Sequence, residues 1–132
     1  MSPTAREEDA PRAVVVFSGR ADLAWLRLLR PGFRHCFILL HTGKGWLYLN
    51  PLAHRTEISL LDLPGEFDVA GWYRQRDMVA LTTRPRRPPH RAAPWRPHTC
   101  VETVKRILGI HAGWVLTPWQ LYRHIVASEY CP

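Results

Sequence analysis

The chain has 132 residues, 46% of them apolar, which suffices for one packed core but not for a second domain of ordinary size. Its net charge of +7 is local, because five arginines and no acid fall within residues 84–97. No apolar run approaches the ~18 residues of a membrane span, residues 1–13 lack the apolar segment of a secretory signal, and three scattered cysteines exclude a disulfide framework or a zinc finger.

Those features predict a protein made without a Sec-type signal, in a reducing compartment, with no metal or other cofactor. Residues 1–12 hold three acids and two prolines and read as a flexible tail, leaving 13–132 as the single domain. AVVVFSG, residues 13–19, reads as a short buried strand. Residues 21–30 space Leu23, Leu26 and Leu29 three apart beside Trp25 and stop at Pro31, which predicts a short helix.

Phe33 to His41 reads as a strand buried on both faces, and Trp46 to Asn50 as its hairpin partner across the turn residues Thr42 to Gly45. In that register His41 faces Trp46 and Phe37 faces Asn50. Side chains alternate along a strand, so His35 shares the Phe37 face and Asn50 falls diagonally within its reach, while Cys36 points to the opposite face. Glu57–Leu63, Phe67–Arg74 and Asp77–Thr82 read as further strands, making the sheet antiparallel and the fold class α+β.

Residues 84–97, RPRRPPHRAAPWRP, form a loop that five prolines keep extended. Arg84, Arg86, Arg87 and Trp95 are its candidate binding residues, suited to phosphates, an anionic cell-envelope polymer or an acidic partner protein; a solvated loop is the alternative. A nucleic-acid-binding module is the less favoured form of this idea, since Trp95 alone interleaves with the arginines, and single-strand binding relies on stacked aromatics.

Thr99 and Glu102 have the spacing of a capping box, with Pro97 upstream and Val101, Val104 and Leu108 at helical spacing. Cys100 is thereby the first helical residue. Unpaired amides and the positive dipole end at such a position favour a thiolate, and can lower a cysteine pKa from about 8.5 into a range of roughly 3.5 to 7.5. A small apolar side chain on a core helix is the alternative for Cys100. Beyond Gly109 to Gly113, Thr117-Pro-Trp-Gln120 is a second capping box, followed by an apolar stripe of Leu121, Tyr122, Ile125 and Val126.

A cysteine at a helix start, a histidine on a strand and a polar residue on its neighbour are the parts of a thiol nucleophile with an oriented base. His35 would take the Cys100 proton, Asn50 would accept from one ring nitrogen and turn the other to sulfur, and the Cys100 backbone amide would meet the oxyanion. His98 is the candidate for a second donor. His41, His54, His90, His111 and His124 read as structural or solvated, and Cys131 as exposed and incidental.

This order resembles the circularly permuted papain-like group, which includes lecithin retinol acyltransferase and NlpC-related proteins, because His35 and Asn50 precede Cys100. GFRHCF (32–37), Asn50-Pro51, CVETVKRILGI (100–110) and TPWQLYRHI (117–125) further resemble small proteins encoded by tailed bacteriophages and prophages. The resemblance implies the fold and a cysteine-hydrolase ancestry, with a peptide or amide as substrate, such as a cell-wall peptide or a phage protein. It also implies a place in the host bacterial cytoplasm or the phage particle. A non-catalytic phage structural or assembly component that keeps the fold is the rival reading.

Overall fold

The computed structural model describes residues 12–19, 32–42, 45–52, 55–64, 66–85 and 99–130. The expected tail, the helix over 21–30, and His54, Arg86, Arg87, His90, Trp95, His98 and Cys131 lie outside them. Five strands form one antiparallel sheet: β1 (Ala13–Ser18), β2 (His35–Thr42), β3 (Gly45–Pro51), β4 (Thr56–Leu61) and β5 (Val79–Thr83), in the order β4-β3-β2-β1-β5. With helices α1 (Val69–Arg74), α2 (Cys100–Leu108) and α3 (Pro118–Tyr130), the class is α+β.

All six residues of β1 are buried, because both faces of the sheet are covered there. On one face Ala13, Val15, Phe17, Cys36 and Ile38 pack with residues of α2 and α3. On the other, Val14, Val16, Phe37 and Leu39 pack with Trp46 and with Val69 and Ala70 of α1. A strand covered on both sides cannot alternate polar and apolar, so the unbroken AVVVF run is what this place requires.

Phe67–Arg74 is not a strand. Phe67, Val69 and Tyr73 alternate as strand residues would, yet the segment becomes α1 because the Asp68 side chain accepts from the Gly71 amide at 3.0 Å and caps it. Val69, Ala70 and Tyr73, which also fit helical spacing, then reach the sheet together. The following strand accordingly starts at Val79 rather than Asp77, which sits in the turn with φ 62°. The hairpin has the expected register, with His41 opposite Trp46 and Thr42 opposite Gly45.

Helix α2 carries the Thr99 half of the expected capping box, with Thr99 Oγ1 accepting from the Glu102 amide at 3.4 Å, while the Glu102 carboxylate pairs with Lys105 and Arg106. Gly109, at φ 75°, closes its other end in the left-handed conformation that glycine adopts without steric cost. Val101, Val104 and Leu108 are buried, and so is Lys105. The Lys105 ammonium donates to Val115 O at 2.9 Å and Glu102 Oε2 at 3.3 Å, and so ties the segment before α3 to α2. Helix α3 starts with a reciprocal cap: Thr117 Oγ1 accepts from the Gln120 amide at 3.3 Å, and Gln120 Oε1 accepts from the Leu116 and Thr117 amides at 2.9 and 3.1 Å.

Candidate active site

The site begins where β2 begins. Phe33, two residues ahead of His35, is held in an aromatic group with Phe17 of β1 and with Trp119 and Tyr122 of α3, at ring separations of 4.8 to 5.6 Å. This packing anchors the approach to β2, and the Arg34 amide continues the pairing by donating to Ser18 O at 2.9 Å. His35 is consequently a fixed, buried side chain rather than part of a loop.

Its Nε2–H donates to Asn50 Oδ1 at 2.6 Å across the β2–β3 hairpin. The diagonal relation follows from the strand register, as the sequence predicts. With Nε2 committed to Asn50, Nδ1 is the nitrogen left to exchange a proton. The Cys100 thiol, at the first residue of α2, lies within hydrogen-bonding reach of the His35 ring. The structure therefore brings Cys100, His35 and Asn50 together.

It adds a fourth group, the Cys36 thiol, which lies on the face where α2 docks and interacts with Cys100 there. Alternation does turn Cys36 away from Phe37, toward the side that α2 covers. That same side is where Cys100 arrives, so Cys36 meets it directly, while His35, at the very end of the strand, reaches it as well. Alternation argues against Cys36 as the nucleophile but leaves open what meets it on the opposite face. Only the position of α2 makes it adjacent, and the one signal in the sequence was the adjacent pair His35-Cys36 itself.

The charge balance at Cys100 follows from these contacts. Hydrogen bonding by the Cys36 thiol is the largest influence, burial opposes it, and the hydrogen bond and positive charge of the His35 ring add to it; the Cys100 pKa falls to about 5. Burial pushes the Cys36 thiol up, and its contact with Cys100 pushes it further. One sulfur of the pair carries the charge and the other keeps its proton.

The remaining candidates take structural places. His41 packs edge-on to Trp46 at 5.0 Å, and His124 lies 6.2 Å from the Trp114 ring. Arg84 is exposed at the end of β5. A cleft of about 1200 Å³ runs along the α1 face of the sheet, and His35, Asn50, Phe37, Tyr48, Phe67 and Tyr73 are among the residues that line it. Among the described residues no cluster of three or more His, Cys, Asp or Glu side chains has the arrangement of a metal site. No described helix is long and apolar enough to cross a membrane. Comparison with protein-family models, curated proteins and solved structures found no match to this chain.

Proposed function

We propose that the protein is a cysteine hydrolase of amidase or peptidase type, built on a circularly permuted papain-like fold and of phage or prophage origin. The observation that carries this reading is the hydrogen-bonded series Cys100, His35, Asn50, with the 2.6 Å His35–Asn50 bond fixing the ring. The Cys100 thiolate attacks a carbonyl carbon, and the His35 imidazolium protonates the departing amine to leave a thioester. The ring then takes a proton from water, which releases the acid and restores the thiol. The Cys100 amide, one of the four that a helix start leaves without an internal partner, is placed to meet the oxyanion. The chain order, with His35 on β2 and Asn50 on β3 ahead of Cys100 on α2, supports the permuted form.

A cell-wall peptide or a phage protein is the substrate class that this origin suggests. The test uses p-nitrophenyl acetate as an acyl donor, with intact-protein and peptide mass spectrometry. Acetylation is expected at Cys100 first, and at a rate that His35→Ala lowers about 100-fold, within the usual worth of a general base. Acetylation of Cys100 no faster than that of Cys131, or unchanged in His35→Ala, would overturn the reading. The rival, a non-catalytic phage structural or assembly component, is favoured by the exposed Ile58, Leu60, Trp114 and Leu116, which are surfaces suited to protein contact.

A further inference from the structure

The proposed chemistry uses Cys100, His35 and Asn50 and leaves a second buried thiol beside the nucleophile without a task. We propose that Cys36 is a resolving thiol for Cys100, so that a peroxide converts the reduced site into a Cys36–Cys100 disulfide and closes it reversibly. The inference rests on the proposed reading for the identity of the reactive sulfur, but it does not require turnover.

Three observations carry it. Helix α2 packs directly on β2, on the face to which Cys36 turns, so the Cys100 thiol at its first turn meets Cys36 there, and a disulfide needs only an approach to about 2.05 Å between sulfurs. They come from different elements, the first turn of α2 and the start of β2, and belong to one packed cluster. Cys36 is 0% exposed whereas Cys100 is partly accessible, so a small oxidant from solvent meets Cys100 first.

The Cys100 thiolate attacks one oxygen of hydrogen peroxide, the O–O bond breaks, and hydroxide leaves, taking a proton from the His35 ring; Cys100 has lost two electrons and is a sulfenic acid. Cys36 then attacks that sulfur. The S–S bond forms, the S–O bond breaks, and the hydroxyl leaves as water with the Cys36 proton. Oxidation removes the negative charge from Cys100, and with it two of the influences that hold the Cys36 proton in place; burial remains. A thiol restores both cysteines by exchange.

The test treats the full chain carrying Cys131→Ser with one equivalent of hydrogen peroxide and maps its peptides without reduction. The expected result is a Cys36–Cys100 cross-link that dithiothreitol removes. In a Cys36→Ala background, whatever the rate of the first oxidation, dimedone should trap about a tenfold larger share of the oxidised Cys100 than in the parent, since the resolving step is gone. Progress of Cys100 to sulfinic acid in the parent without a cross-link overturns the proposal, as does an equal trapped share in both proteins. Should Cys36→Ala not fold, by circular dichroism, the parent map alone decides. Iodoacetamide labelling at pH 6, run in parallel, separates the two readings: fast labelling of Cys100 without a cross-link removes only the resolving role, and slow labelling with a cross-link removes only the activated nucleophile.

Discussion

At the scale of single residues, the two thiols divide one proton between them, and the Cys36 thiol is the largest single influence on the Cys100 charge, with the His35 ring adding a hydrogen bond and a positive charge. Iodoacetamide labelling of Cys100 should follow a titration centred near pH 5, against about 8.5 for an ordinary thiol. His35→Ala and Cys36→Ala should each move the midpoint upward, because both side chains favour the thiolate. An unchanged midpoint in either variant would remove that side chain from the charge balance. Stability carries the same signature. The folded pKa of Cys100 lies below the unfolded value, so its ionisation stabilises the fold fully above about pH 8.5, and the contribution is lost as pH falls toward 5. Cys36 acts with the opposite sign above pH 8.5, where the unfolded chain can ionise it and the folded chain resists. The difference in urea-unfolding stability between the parent and Cys100→Ala should therefore grow from pH 5 to 8.5; a difference that shrinks over that interval would contradict the lowered pKa.

At the scale of elements, α2 is the part that presents the nucleophile, and a buried polar tie adds to the apolar packing of Val101, Val104 and Leu108 that fixes it. Lys105 is fully buried, and its ammonium holds Glu102 and the Val115 carbonyl together. Lys105→Ala leaves the Glu102 carboxylate, only 5% exposed, with the more exposed Arg106 as its remaining ion-pair partner, and should cost about 3 to 5 kcal/mol in chemical denaturation. A loss below about 1 kcal/mol would show that the helix stands without this tie. Thr117→Ala removes one half of the α3 cap and should cost about 1 kcal/mol while leaving Cys100 labelling unchanged, because the α3 side chains packed beside the site, Trp119, Leu121 and Tyr122, are not part of that cap. The error at Phe67–Arg74 also belongs to this scale. Two periodicities coexist in that segment, and the Asp68 cap, together with the face of the sheet it must cover, selects the helix.

At the scale of the molecule, the sheet is unevenly covered. Its β1–β2 centre is sealed on both faces, whereas Ile58 and Leu60 on the edge strand β4 are more than three-fifths exposed. Unpaired edges with apolar side chains favour association between sheets. Ile58→Thr with Leu60→Lys should leave the melting temperature within a few degrees of the parent, since surface changes are usually worth no more than about 0.5 kcal/mol. Sedimentation should show less self-association at high concentration, and unchanged association would mean that β4 is not the sticky edge. Replacing Arg84, Arg86 and Arg87 by Ser should hardly alter the melting temperature, because a segment composed of prolines and arginines has little apolar surface to bury; a marked drop would give those arginines a structural role.

By itself the sequence determined what is local or periodic. The two threonine caps, the buried run of β1, the β2–β3 register and the placement of Cys100 at a helix start all follow from spacings of two to four residues, where backbone geometry leaves few choices. The His35–Asn50 pair was legible for the same reason, since a hairpin register converts directly into side-chain proximity. What only the tertiary structure decided is which long-range neighbour each face receives. The order β4-β3-β2-β1-β5, the helical state of Val69–Arg74, the burial of Lys105 and the meeting of Cys36 with Cys100 depend on how α1 and α2 dock on the two faces of one sheet. Docking is chosen by the summed burial of many side chains from distant parts of the chain, and no single spacing in the sequence encodes that sum.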